Sequence, residues 1–171
     1  MAFAMSTWFT TYGYAEVYPD LYIGACPRDA ADVEALSHLA IEVVLNLVQD
    51  AEYGPGERET LDAAYAAHGI AETRLDLVDF GRLPADRVEE AVGLVVGWLE
   101  DDLRIYLHCR AGWQRSAAIA AGAVAVFEGI HIRDALRYVQ TRKPTADPLP
   151  HQRTDLANWW AHRHVQRRQA S

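Results

Sequence analysis

Cys109 and Arg115 bracket five residues, Arg110-Ala111-Gly112-Trp113-Gln114, and Ser116 follows directly. A cysteine attacks only as its thiolate, and an ordinary pKa of ~8.5 keeps it mostly protonated at neutral pH. A guanidinium is a permanent cation whose planar fork matches two oxygens of one phosphoryl group. Within one short loop the pair suits attack on phosphorus while the arginine holds the oxygens. Gly112 lets the loop take a backbone conformation that a side chain resists. Ser116 has two readings, a donor that helps the sulfur leave or a plain N-terminal helix hydroxyl.

Two elements must position this loop. The apolar run 105–108 predicts a short buried strand, and the small apolar run 117–127 predicts a helix buried all round. A turn from strand into helix aims loop N–H groups into one space, at the positive end of the helix dipole. That field lowers a cysteine pKa to ~3.5–7.5. The stretch therefore encodes a nucleophile, Cys109, together with an oxyanion cradle made by Arg110, Ala111, Gly112, Trp113, Gln114 and Arg115. His108 is expected to orient the loop from a buried position rather than to act as a base. A buried free cysteine closing a core strand is the plain alternative; it leaves Arg115 and Ser116 unexplained.

His-Cys-x-x-Gly-x-x-Arg-Ser, residues 108–116, resembles the signature of the cysteine-dependent protein tyrosine phosphatases. Ala117 and the short chain place it nearer the compact dual-specificity branch. The resemblance runs, more loosely, from Tyr18 to Trp160. It implies an α/β single-domain phosphatase-like fold, a central four- to five-stranded sheet with helices on both faces. It implies phosphomonoester hydrolysis through a cysteinyl-phosphate on Cys109, with an upstream Asp as general acid and base. Leu75-Asp76-Leu77-Val78-Asp79-Phe80 offers two candidates. Asp79 falls just past the strand that holds Leu75 and Leu77, and is the choice; Asp76 lies inside that strand.

Asn46 resembles an Asn that the family sets behind the loop, with loop carbonyls as expected partners. Gln152 lies in a stretch similar to the late loop where tyrosine-specific relatives keep a water-positioning Gln; many compact relatives lack it, and a surface Gln is the plain alternative. Two features depart from the commoner pattern. Trp113 and Gln114 replace small or aliphatic residues, and Trp113 either walls the pocket or packs under the loop. The loop lacks lysine, which weakens a phosphoinositide reading, although Arg110 adds a cation and Gly24-Ala25-Cys26-Pro27 resembles a stretch of some lipid-phosphate relatives.

Composition bounds the rest. The 171 residues are 50% hydrophobic and 23% charged, ordinary for one globular domain. The net charge of −8 is uneven, with 8 basic and 21 acidic residues in 1–130 against 8 and 3 in 131–171. An acidic chain argues against nucleic acid. The late arginines Arg133, Arg137, Arg163, Arg167 and Arg168 fall at helical surface spacings, which reads as a solvated face, with a positive rim for phosphorylated substrates as the alternative. Cys26 and Cys109 make no disulfide scaffold, so Cys26 is expected to be an ordinary buried thiol in a reducing, cytoplasmic setting. Residues 117–127 are too few for a membrane span, which needs ~20. His162-x-His164 lacks a zinc ligand set, and no metal or cofactor is expected.

Periodicity predicts strands over 17–24, 41–48, 72–78 and 104–108. It predicts helices over 29–38, 59–68, 86–100, 115–127, 132–142 and 151–167. That alternation argues for a sheet covered on both faces, in an order the sequence does not contain. Residues 1–16 form a loose arm whose Trp8, Phe9, Tyr12 and Tyr14 either pack down or meet substrate; 17–167 form the catalytic domain and 168–171 a tail. The expected partner is a phosphorylated protein or small phosphorylated substrate. The competing readings are a phosphoinositide or other non-protein phosphatase, a non-catalytic phosphate-binding module, and a rhodanese-like sulfur transferase.

Overall fold

A computed structural model describes residues 4–170. Five strands, β1 (Tyr14–Tyr18), β2 (Leu21–Gly24), β3 (Val43–Asn46), β4 (Ala71–Arg74) and β5 (Ile105–His108), form one sheet in the order β1-β2-β5-β3-β4. Among the described residues, only the β1–β2 pair is antiparallel. The seven α-helices among the described residues are α1 (Thr7–Tyr12), α2 (Ala30–His38), α3 (Glu57–His68), α4 (Ala85–Glu100), α5 (Arg115–Glu128), α6 (Ile132–Arg142) and α7 (Pro150–Gln169). No helix among the described residues is long and apolar enough to cross a membrane.

Side-chain alternation along the strands divides the core. Leu45, Ile105 and Leu107 face α4, α5, α6 and α7, through residues such as Val92, Ala121, Leu136 and Trp159. Val44 and Tyr106 face the other way, onto Phe9 of α1, Val33 and Leu36 of α2, and Leu61 and Tyr65 of α3. The central strand β5 is buried at all four residues, as a strand covered on both faces must be. Its parallel neighbours β2 and β3 end level with it, Gly24 and Asn46 both pairing with His108. The loops leaving these three carboxyl ends converge, which is where open α/β sheets bind ligands.

Three expectations change. The span 17–24 is not one strand but the end of a hairpin, because Pro19-Asp20 turns the chain with Asp20 at φ 63°. The strand expected over 72–78 pairs only over Ala71–Arg74. The arm is not loose over 7–16. Ser6 caps α1 by accepting from the Phe9 N–H at 3.1 Å, Phe9 is fully buried, and Tyr14 opens β1. Residues 1–3 of the expected arm and residue 171 of the tail lie outside the described residues.

Candidate active site

The loop between β5 and α5 wraps a cavity of about 240 Å³ lined by Cys109, Arg110, Ala111, Trp113, Gln114 and Arg115, with Asp79 and Phe80 from the loop before α4 and Trp8 and Tyr12 from α1. Gly112 sits at φ 74°, in the left-handed region. A Cβ there would lie 2.5 Å from the Gly24 carbonyl carbon, so loop and β2 touch backbone to backbone. No side chain caps the N-terminus of α5. Among the described residues the N–H groups of Arg110, Ala111, Gly112 and Trp113 donate to no protein acceptor. These are the donors an oxyanion needs.

Cys109 is buried, with Sγ 3.3 Å from Ser116 Oγ. Burial alone would push its thiol up. The Arg115 guanidinium, the Ser116 hydroxyl and the N–H groups of Ser116 and Gln114 outweigh it and hold the thiol below its ordinary value. Of the two readings of Ser116, the geometry places the hydroxyl on the sulfur.

Arg115 is 1% exposed, with four hydrogen-bond acceptors on the protein and an ion-pair contact to Asp79. Nη1 donates to Glu52 Oε2 at 2.8 Å, Leu77 O at 2.9 Å and Leu47 O at 3.3 Å. Nη2 donates to Glu52 Oε1 at 2.8 Å and lies 3.0 Å from Asp79 Oδ1. Nε–H has no acceptor among the described residues. The carboxyl of Glu52 is held below its usual value because Arg115 and the Gln49 N–H outweigh its burial. Glu52 is the site residue that the sequence concealed, since nothing local links it to an arginine 63 positions on. The one available signal was general: a buried guanidinium requires a carboxylate partner.

Asp79 occupies the mouth, between Arg115 and Arg110, whose Nη1 lies 3.9 Å from Asp79 Oδ2. Its loop is latched by α7. His151 Nε2 donates to the Phe80 and Gly81 carbonyls at 3.0 Å, and Gln152 Nε2 to Gly81 O at 3.1 Å. Phe80 holds φ 55° within this latch. Asp76 lies elsewhere, 3.6 Å from Arg87.

The supporting residues divide. Gln152 does not line the cavity; its Oε1 accepts the Leu149 N–H at 3.0 Å, so both ends of a fully buried amide hold backbone rather than water. Asn46 does not reach the loop carbonyls. It donates to Tyr53 Oη at 2.7 Å and Glu72 Oε2 at 3.2 Å, and accepts the Val48 N–H. His108 does support the loop, with Nδ1 donating to the Cys109 carbonyl at 3.2 Å, and burial lowers its pKa to about 4, so the imidazole is neutral. Trp113 is a wall, 41% exposed, with its ring edge-on to Tyr12 at 5.5 Å. Cys26 is a buried thiol pushed up to about 12 by desolvation.

Residues 24–129, more than half the chain, match a family described as "Polymorphic toxin system, DSP-PTPase phosphatase". The chain belongs to this phosphatase family. Mouse laforin is 25% identical over 147 residues, 77% of this chain and 44% of laforin, so the chain spans less than half of that relative's length. The fold of this family member is similar to that of human DUSP28, with a TM-score of 0.72 and 21% identity over 89% of this chain and 99% of that one. It is also similar to PTPMT1, with a TM-score of 0.75 and 18% identity over 92% and 99%. Another structure of PTPMT1 is a complex with PI(5)P.

Proposed function

We propose that this DSP-PTPase domain hydrolyses phosphomonoesters through a cysteinyl-phosphate on Cys109. One observation carries the reading: the buried Cys109 sulfur, 3.3 Å from the Ser116 hydroxyl, faces loop N–H groups without an acceptor among the described residues, beside a guanidinium held by Glu52. The thiolate attacks phosphorus, and the loop N–H groups with Arg115 take the equatorial oxygens. The P–O bond breaks as Asp79 protonates the departing oxygen. Asp79 then takes a proton from water, water attacks the phosphorus, and the S–P bond breaks with Ser116 donating to the sulfur. Ala111, Gly112, Trp113 and Gln114 shape the cradle, and His108 stiffens the backbone where it begins.

The resting contacts add one feature to this cycle. A phosphoryl group bound edge-on to Arg115 uses Nε and Nη2, and Nη2 is where Asp79 now sits. Substrate therefore displaces the carboxylate from the arginine, and frees it for the leaving oxygen.

The substrate class is a phosphorylated protein or small phosphomonoester, and the two free cysteines fit a reducing compartment such as the cytoplasm. The test is phosphate release from p-nitrophenyl phosphate by the chain, with Cys109→Ser as control and acid quench to trap phosphocysteine. Release that persists in Cys109→Ser sinks the reading. A panel of phosphopeptides and phosphoinositides compared by kcat/KM then separates the protein substrate from the lipid one.

A further inference from the structure

Helix α1 meets the phosphate loop at two residues. Trp8 Nε1 donates to the Arg110 carbonyl at 3.0 Å, and the same oxygen accepts the Cys26 N–H at 3.0 Å. The Trp8 ring also carries the Arg110 guanidinium, whose Cζ lies 5.5 Å from the ring centroid. Tyr12, one turn on, packs edge-on against Trp113. The helix itself is pinned from behind. The fully buried Asp32 carboxylate accepts the Ser6 N–H at 2.8 Å and the Ser6 hydroxyl at 2.6 Å, together with the Arg28 N–H at 2.8 Å.

In a trans peptide the carbonyl and the next residue's N–H point in opposite directions. Two donors on the Arg110 carbonyl therefore fix the direction of the Ala111 N–H, which has no acceptor among the described residues and belongs to a residue lining the cavity. We propose that Trp8 is a positioning residue for the phosphate loop, holding Arg110 at both its carbonyl and its guanidinium, so that α1 sets the affinity of the site for an oxyanion. The inference rests on the hydrolytic reading above and extends the site into a helix that shares no segment with the loop.

The test uses the full chain, p-nitrophenyl phosphate as substrate and inorganic tungstate as competitive inhibitor. Trp8→Phe keeps an aromatic face for Arg110 and deletes the N–H. The tungstate Ki rises about three- to tenfold, the range one hydrogen bond supplies; KM rises with it and kcat changes less. Ser6→Ala loosens α1 from Asp32 without touching the loop, and raises the Ki by a smaller factor. A residue that only lined the wall would alter KM for the aryl ester and leave the Ki for a small anion unmoved. Unchanged Ki values in both variants overturn the proposal; if Trp8→Phe does not fold, Ser6→Ala decides. Should the wild-type chain release no phosphate, the hydrolytic reading fails by itself, and tungstate binding by calorimetry makes the same comparison.

Discussion

Glu52 and Arg115 face each other as two parallel forks, with both N–O distances at 2.8 Å. A bidentate pair this buried fixes the plane of the guanidinium before any substrate arrives, so less entropy is lost when phosphate binds. Glu52→Gln removes the charge and one acceptor while keeping the volume. Leaving a buried cation without its carboxylate costs about 3 kcal/mol, a fall of roughly 6–12 °C in Tm for a chain of this size. Activity measured well below the new Tm is expected to drop at least about tenfold in kcat/KM. A variant with wild-type kcat/KM would show that Glu52 does not orient the arginine.

The two cysteines differ in reactivity by environment. Cys109 is held below its ordinary value, and Cys26 is pushed up to about 12. Iodoacetamide near pH 7 should give one adduct, on Cys109, in peptide mass spectra. A lowered pKa keeps the thiolate populated as pH falls, so alkylation persists below the range of a free thiol. Ser116→Ala removes one of the groups favouring the anion, and the alkylation midpoint should move up.

Asp79→Asn is expected to act in two opposite senses. Turnover of phosphate esters with poor leaving groups, such as phenyl phosphate, falls about 10²–10⁴-fold without the proton donor. Esters with good leaving groups lose far less. Tungstate binding tightens in the same variant, because the carboxylate no longer competes for Arg115 Nη2. Equal losses on all esters, or weaker tungstate binding, would count against this placement of Asp79.

His108 couples stability to pH. Its pKa is about 4 when folded, against 6.5 as the ordinary value. Above 6.5 both states are neutral and the full stability is present. As pH falls from 6.5 to 4 the unfolded chain takes up a proton that the folded one refuses, and stability declines by roughly 3 kcal/mol. Urea melts across that window should show the decline, and His108→Asn should flatten this part of it.

The phosphate loop was legible because its chemistry is local. Cys109, Gly112, Arg115 and Ser116 lie within eight residues of one another, and the strand and helix on either side follow from apolar pattern alone. The contacts that tie this loop to the rest of the chain were not, because they span long distances in sequence. Glu52 lies in a polar loop with several acids, and only the fold selects it for Arg115. Trp8 reaches across 102 positions to Arg110. Gln152 and Asn46 were recognised by position, but Gln152 bonds the Leu149 N–H and the Gly81 carbonyl, and Asn46 bonds Tyr53, Glu72 and the Val48 N–H. Tertiary proximity, which pattern cannot supply, decided each case.

Gly24 and Gly112 meet where the end of β2 lies against the loop, with no room for a methyl group at Gly112. Two positions 88 apart in the chain thus act as one constraint on sequence change. A side chain at Gly112 would meet the Gly24 backbone and pry the amide ring off its strand before altering any reactive group, whereas one at Gly24 would meet Tyr106, Tyr14 and the Gly13 carbonyl instead. Efforts to retune this domain by recombining segments must inherit both from the same backbone geometry, or lose the anion cradle at the seam.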